Sequence, residues 1–475
     1  MKPIRSALAG LLLSATLLSP QAALDAALRP PNVVVIISDD QGYADISFNP
    51  HHPKEVSTPH LDALAREGVW FSQGYITGNV CSPTRAGLLT GRYQQRAGVY
   101  TAGEGGSGMA QTEKIFPRYL QPAGYTSAAY GKWHLGLALD QSPVGRGFDE
   151  WYGFLGRGAH DYFDLAQKDP DNHPMYRNGK EIKDEGYLTT RLTDEAVAFI
   201  RRRKAEPFLV YLAYNAVHSP AQAPAEDIAR VRQQFPQLSE ARAILMAMLH
   251  HLDLGVGRVV ATLKQEGVWE NTLLFFLTDN GGSRAMSAVN TPLRGFKQQN
   301  YEGGIRTPFI VSWPAAFHGG RSIATPVTSL DILPTALEAA GVTPDRPLDG
   351  RSLLPLLTGK TQRHLDTFYW SEGGQAGGFA VRSGDWKLVQ QRAQTKVELF
   401  NLAADPAETT DLAPKDAAKV AELTKLYDTW LDQMAPPLSG APKRPGGPSA
   451  AGAKRSKAEK QKAREEGRAK KKDQP

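Results

Sequence analysis

Two oxygen-rich pairs sit at the ends of apolar runs. Asp39-Asp40 follows NVVVIIS, and Asp279-Asn280 follows TLLFFLT and precedes Gly281-Gly282. Runs of this kind read as strands buried on both faces. Two such strands ending together would bring three carboxylates and an amide to one sheet edge. Their repulsion is relieved by a hard divalent cation, and all-oxygen donors favour Ca²⁺ or Mg²⁺ over zinc. Asp and Asn also open turns at strand ends, so either pair alone reads as a turn sooner than as a ligand set, and only two pairs at matching positions bring the readings level. The glycines that follow would give the backbone freedom to turn.

Cys81 is the single cysteine of the chain and can form no intramolecular bridge. A lone thiol is either a small buried hydrophobe or a group with chemistry of its own. It stands in Asn79-Val-Cys81-Ser-Pro83-Thr-Arg85, and Arg85 lies one helical turn later, close enough to reach back or to be an ordinary surface arginine. Lys132 and His134 are two apart in GKWHLG, so in an extended segment they point the same way. A histidine between Trp and Leu is otherwise a satisfied core residue. His218 closes the run PFLVYLAYNAV, and Lys297 falls in the loop-like LRGFKQQ.

Such residues need a framework. Strand-like runs at Asn32–Ile37, Tyr125–Tyr130, Phe208–Tyr214, Thr272–Thr278 and Pro308–Trp313 alternate with helical patterns near Arg85–Tyr93, Leu188–Arg203, Ala241–Gln265 and Ile332–Ala340. Thr58-Pro59 opens a further helix-like HLDALARE. The alternation predicts an α/β fold, a large mostly parallel sheet sandwiched by helices. Ligands of such sheets bind beyond the carboxyl ends of the strands, where both oxygen pairs, Lys132 and His218 fall. After Leu357 come short strand-like pieces, Thr367–Trp370, Gly378–Arg382, Trp386–Gln390 and Val397–Phe400. A helix follows from about Pro414 to Met434, with Val420, Leu423, Leu426, Tyr427, Trp430 and Leu431 on one face. These predict a smaller C-terminal antiparallel sheet with one covering helix.

The segment from Cys81 to Gly91, C-x-P-x-R with a following Leu-Thr-Gly, resembles the signature of the formylglycine-dependent (type I) sulfatases of the alkaline-phosphatase-like superfamily. Further segments resemble that family in family order: Asp39-Asp40-Gln41-Gly42-Tyr43, Thr58-Pro59 with Leu61-Asp62, Gly131–Gly136, Gly147–Glu150, Asp279–Gly281, Leu293–Lys297 and Glu302–Arg306. C-x-P-x-R alone is short enough to arise by chance, whereas the ordered set is specific. The resemblance covers roughly Pro31 to Met434 and implies a sulfuric ester hydrolase of arylsulfatase or polysaccharide-sulfatase type. Residues 30–360 would form its catalytic domain and residues 361–435 a small α+β subdomain.

In that family the cysteine is oxidised after translation, by a formylglycine-generating enzyme, to an aldehyde. One hydroxyl of the aldehyde hydrate attacks sulfur, and loss of the proton from the other regenerates the aldehyde and expels sulfate. One hard step becomes two easier ones. The resemblance further implies one Ca²⁺ per chain, rather than Mg²⁺, held by Asp39, Asp40, Asp279 and Asn280, with the modified Cys81 completing the shell. It places Arg85 by the hydrate and Lys132 on the sulfate, and gives His134 the proton that leaves the hydrate. His218 and Lys297 are left to bind sulfate and protonate the leaving oxygen. His60 departs from the family's usual Asn. Thr101–Gln111 and Gly156–Glu185, the stretches that would select the alcohol, follow no family pattern, and His160 and His173 are candidates to line that cleft. Two other readings stay open. One is a phosphonate or phosphate ester hydrolase of the same fold, and the other a polyanion-binding protein without activity.

Composition narrows the remainder. With 41% hydrophobic and 22% charged residues the chain is neither disordered throughout nor a polytopic membrane protein. Its 55 Lys and Arg against 49 Asp and Glu suggest a basic protein, but 12 of the cations and only 4 of the acids lie in Ala441–Pro475. Lys2 and Arg5 account for two more, so the body between has a net charge of −4 and gives no reason to expect nucleic acid. Lys2 and Arg5 precede a short apolar run and then small residues to Ala23, which is the order of a signal peptide (residues 1–23). The expected location is therefore periplasmic or secreted, without a membrane span. Residues 436–475 are expected to be a disordered basic tail.

Overall fold

The computed structural model describes residues 29–156, 158, 160–166, 174–373 and 377–440. The expected signal peptide, His173 and the tail from residue 441 lie outside them. Strands β1 (Asn32–Ser38), β2 (Thr126–Lys132), β3 (Phe208–Ala213) and β4 (Thr272–Thr278) run parallel in the order β4-β1-β3-β2, and β5 (Phe309–Ser312) joins β4 antiparallel. They form the middle of a ten-stranded sheet. Short strands extend it, Val69–Phe71 and Arg321–Ile323 on one side and Glu150–Phe154, Met175–Arg177 and Lys180–Ile182 on the other. None of these five was expected from the sequence.

In β1 the side chains of Val33, Val35 and Ile37 enter one buried cluster, while Val34 and Ile36 enter another. Alternate residues feed two apolar layers, which is why the run is hydrophobic without a break. Helices α1 (Cys81–Thr90) and Ile332–Ala339 belong to the first layer. The second contains α2 (Leu188–Arg203), α3 (Glu240–Gln265) and Pro59–Glu67. By length and composition α3 could cross a membrane, yet 61% of its most apolar window is buried inside the fold, where it packs on α2. The Pro59 helix is capped from a distance: Asp253 of α3 accepts from the backbone N–H groups of His60 (3.1 Å) and Leu61 (2.8 Å). Two first-turn N–H groups are thus satisfied from α3 rather than by a local side-chain cap.

Thr367–Ser371, Phe379–Ser383, Trp386–Gln390 and Glu398–Asn401 form a four-stranded antiparallel sheet. Helix α4 (Ala417–Leu431) covers it with Leu423, Tyr427, Trp430 and Leu431. Its other face, carrying Phe368, Trp370 and Phe400, joins the apolar layer beneath α1. Residues 436–440, expected to belong to the tail, are held against the fold. Leu438 N–H donates to the Gly98 carbonyl (2.9 Å) and the Ser439 hydroxyl to Glu104 (2.6 Å), contacts that no sequence periodicity announces.

An ion cluster ties the small sheet to the segment Glu302–Arg306 and to Tyr75. Lys387 is fully buried between Glu302 (2.8 Å) and Glu408 (2.9 Å), and the Tyr75 hydroxyl donates to Glu302 (2.6 Å). Burial pushes Glu408 up to about 7, against the pull of Lys387. Burial would also raise Glu302, but Lys387, Arg306 and Arg382 outweigh it and hold that carboxyl at about 2. Lys387→Met removes the shared cation, and the expected loss is about 3–5 kcal/mol in denaturant unfolding at neutral pH. The deficit should shrink as pH falls and the stranded carboxylates take up protons. A loss that is small or independent of pH would contradict this view of the cluster.

Candidate active site

The site is built by register. Ser38 faces Thr278 at the last pair of β1 and β4, so Asp39-Asp40 and Asp279-Asn280 leave the sheet at one level. Ile37 faces Ala213, and Ala213 faces Gly131, so β3 and β2 end beside them and deliver His218, Lys132 and His134 to the same edge. The loops interlock through backbone bonds, Asp39 N–H to Ala216 O (2.9 Å), Val217 N–H to Asp39 O (2.8 Å) and Asp279 N–H to Ser38 O (3.1 Å).

Three non-glycine residues at this edge adopt left-handed backbone: Asp40 (φ 61°), His134 (φ 56°) and Gln298 (φ 72°). Each such residue costs roughly 1–3 kcal/mol, and this kind of strain gathers where side chains must be aimed. Gly281 and Gly282, expected to supply conformational freedom, are not left-handed. Gly281 is needed for space instead. A Cβ there would lie 1.9 Å from the Gly303 carbonyl oxygen.

Cys81 is the first residue of α1, and every residue of that helix is buried. Its Sγ is 3.5 Å from Asp39 Oδ1 and 3.4 Å from Lys297 Nζ. The ligand atoms of Asp39, Asp40, Cys81 and His218 all lie within 4.8 Å of one another. His218 thus joins a cluster in which only Asp39, Asp40 and Cys81 were expected, its Nε2 being 3.7 Å from Asp40 Oδ2. Asn280 is linked through its amide, which donates to Asp40 Oδ1 (2.7 Å), and its Oδ1 is buried without a partner among the described residues. Asp279 Oδ1 accepts from Asp40 N–H (3.4 Å), while its Oδ2 is taken up by Arg85. An orphaned oxygen within a set of carboxylates and an amide is the donor chemistry of a hard divalent cation, and the residues present fit one.

Arg85 does not make the contact expected of it. Rather than reaching back to residue 81, its guanidinium bonds Asp279 Oδ2 through Nε (3.1 Å) and Nη2 (2.8 Å), Asp39 Oδ2 (3.4 Å) and the Lys132 carbonyl (3.1 Å). Two carboxylates are what a fully buried guanidinium requires. Lys132 Nζ lies 2.5 Å from Asp39 Oδ2 and Lys297 Nζ 2.6 Å from Asp40 Oδ1. Three carboxylates therefore face three cations. The side chains of His218 and Lys297 are each 15% exposed, whereas those of Asp39, Arg85, Lys132 and Asp279 are sealed. An anion thus reaches the cluster from the side of His218 and Lys297.

Environment sets protonation. Burial pushes the Cys81 thiol up to about 12, with Asp279 and Asp39 adding to it. Burial, then the neighbouring Lys132, Arg85 and Lys297, hold His134 well below the usual imidazole value, and both its ring nitrogens are buried without a partner among the described residues. Burial would lower Lys297, but Cys81 and Asp40 outweigh it and raise it. Burial would raise Asp39, yet Lys132, His218 and Arg85 bring it down.

Several residues around the site carried no sequence signal. Asn79 donates to Asn300 (2.9 Å) and to Glu372 (2.8 Å), a carboxylate 293 residues away that also accepts from Asn300 (3.1 Å). Only the docking of the small sheet brings these together. The Tyr162 hydroxyl donates to the carbonyls of Asn215 (2.7 Å) and His218 (2.9 Å), and a Cβ on Gly158 would lie 3.7 Å from the His218 ring. The stretch expected to shape the cleft therefore borders it. His160 is buried against Phe154, ring centroids 5.4 Å apart.

A carboxylate cluster fit for a cation, cations facing it, and a buried residue at a helix start meet at the carboxyl edge of a parallel sheet, an arrangement suited to chemistry on an anionic group. Comparison with known proteins narrows the class. The sulfatase family model matches residues 31–342, and the model for the C-terminal part of N-sulphoglucosamine sulphohydrolase matches residues 296–435. The chain belongs to the sulfatase family and is a sulfuric ester hydrolase. It is 30% identical to the uncharacterized sulfatase YdeN of Escherichia coli, over 86% of this chain and 87% of that one. It is 33% identical to the N-acetylgalactosamine-6-sulfatase of Mus musculus, over 72% and 69%. The crystal structure of Ps i-CgsB in complex with k-i-k-neocarrahexaose superposes with a TM-score of 0.80 at 34% identity, covering 86% of this chain and 94% of that one.

Proposed function

We propose that this chain is an exported sulfatase that hydrolyses sulfate monoesters of carbohydrates or aryl alcohols, using an aldehyde hydrate made from Cys81 and one bound Ca²⁺. The convergence of Asp39, Asp40, Asp279 and Asn280 on Cys81, beside Lys132, His134, His218 and Lys297, carries the reading. The cation would be held by the four oxygen donors with residue 81, and would supply positive charge where sulfuryl oxygens gather it. Modified Cys81 would supply two hydroxyls, one to attack sulfur and one whose deprotonation releases sulfate. Conversion of Cys81 would require a maturation enzyme acting on the segment Cys81–Arg85.

The remaining residues divide the work. Three carboxylates balanced by Arg85, Lys132 and Lys297 leave a divalent cation's charge free to meet an anionic substrate. Arg85 orients Asp279 and Asp39. Lys132 and Lys297 hold sulfate oxygens, and His218, at the open side, stands by the leaving oxygen. His134 is kept neutral and takes the proton from the hydrate. The acid limb of kcat assigned to His134 is thus expected below the ordinary imidazole value of about 6.5. A limb at or above that value would exclude His134 as the base.

The carbohydrate substrates borne by the names of its relatives favour a sugar sulfate, and the apolar N-terminal run favours the periplasm or the exterior. Residues 30–360 would form the catalytic part and 361–435 the unit that completes the cleft. A phosphonate monoester hydrolase of Agrobacterium radiobacter shares the fold, with a TM-score of 0.61 at 20% identity, so ester type is the point to test. Matched 4-nitrophenyl sulfate and phosphate are expected to differ in kcat/KM in favour of sulfate. Activity should be lost to a chelator and restored by Ca²⁺. Faster phosphate turnover would overturn the reading.

A further inference from the structure

Beside Lys297 the surface opens into a cavity of about 410 Å³ whose walls include Arg284, Arg294 and Arg392 with Gln298, Gln391 and Gln394, and no acidic residue lines it. A second cavity of about 260 Å³ shares Gln298 and Arg392 with it and extends over Asn79 and Val80, the two residues before Cys81. The join is firm, because Gln298 N–H donates to the Asn79 carbonyl (2.8 Å) and the adjacent Lys297 places Nζ 3.4 Å from Cys81 Sγ. A ligand with one sulfate at Cys81 would pass over Val80 and Gln298 and enter the basic cavity.

Two of the three arginines are set there with little to neutralise them, while Arg294 Nη1 is taken by Glu398 (3.3 Å) and the Glu408 carbonyl (2.9 Å). Arg284 lies 4.6 Å over the Phe296 ring and makes no ion pair among the described residues. Arg392 is exposed, and its nearest carboxylate oxygen, on Glu372, is 3.9 Å away. Arg294 is stacked 3.8 Å over Tyr301 and shared with Glu398 at 3.3 Å. A guanidinium stacked on an aromatic ring is pre-oriented, with its fork of N–H donors free for a planar or tetrahedral oxyanion. Glutamine amides, which both donate and accept, suit the hydroxyls of the sugar between.

We infer that this cavity binds a second anionic group of an oligosaccharide whose scissile sulfate lies at Cys81, so that the preferred substrate is a multiply sulfated chain rather than an isolated monoester. The inference rests on the sulfatase reading and names its substrate class. A sulfate on a neighbouring sugar and a uronate carboxylate would use the same forks.

The test is the double variant Arg284→Gln/Arg392→Gln with four probes. These are 4-nitrophenyl sulfate, a carrageenan hexasaccharide sulfated on several sugars, the same chain with one sulfate, and a once-sulfated chondroitin hexasaccharide carrying uronates. KM for the multiply sulfated chain is expected to rise by about tenfold or more with kcat within twofold, the gap narrowing as salt screens the contact. Turnover of 4-nitrophenyl sulfate and of the once-sulfated galactan should not change. An equal rise on the uronate chain shows that the cavity takes either anion, and no rise there assigns it to sulfate. Loss on 4-nitrophenyl sulfate equal to that on the chains, or no change on any chain, overturns the inference. Calorimetric binding of the same chains to Cys81→Ala protein, with and without the two arginines, needs no chemistry at residue 81. Absent hydrolysis would therefore refute the parent reading, while an unchanged Kd, or no binding of any chain, would refute the subsite.

Discussion

Cys81→Ala is expected to abolish sulfate ester turnover, by roughly 10⁴-fold or more, while leaving the fold intact. The side chain is small, sits at the start of α1 and makes no strong bond to the framework, its neighbours being Asp39 Oδ1 at 3.5 Å and Lys297 Nζ at 3.4 Å. Loss of packing at such a site is minor, so a large fall in kcat with an unchanged unfolding midpoint isolates a chemical role. Cys81→Ser sharpens the result. Serine keeps a hydroxyl in place but offers no second hydroxyl to release the sulfated intermediate. A single burst of alcohol without turnover is the expected trace, read by rapid-quench kinetics. Full activity in either variant would remove Cys81 from the chemistry.

Asp279→Ala should act on stability and on the metal together. Arg85 is fully buried, and Asp279 Oδ2 takes two of its hydrogen bonds. Removing the carboxylate leaves a buried guanidinium with Asp39 as its remaining acid at 3.4 Å, a loss of roughly 3–5 kcal/mol. The two effects separate in a double-variant cycle. Asp279→Ala/Arg85→Met removes both charges and should recover much of the stability, since the pair is coupled. Ca²⁺ affinity and turnover should stay low, as the proposed ligand role of Asp279 requires. Recovery of metal binding along with stability would show that Asp279 serves Arg85 alone.

The strands that end at the site were legible because both of their faces are buried. Asn32–Ile37 and Thr272–Thr278 read as continuous apolar runs and lie within the observed β1 and β4. Edge strands such as Met175–Arg177 and Lys180–Ile182 carry no such run, and pairing rather than composition makes them strands. Residue types that converge at strand ends could be placed at one edge, and the register Ser38 to Thr278 put them there. What each side chain touches could not be read from spacing. One helical turn allows Arg85 to approach residue 81, but buried charge sends it to Asp279. The bond from Asn79 to Glu372 and the three arginines of the basic cavity join loops far apart in the chain, so only docking of the small sheet assembles them.

The most direct measurement is the mass of the peptide carrying residue 81, taken from natively expressed protein whose 4-nitrophenyl sulfate turnover has been determined with and without a chelator. Aldehyde should replace thiol at residue 81, in a fraction that tracks the specific activity, and the chelator should abolish activity without changing that mass. Fully active protein bearing only the unmodified thiol would contradict the formylglycine mechanism outright.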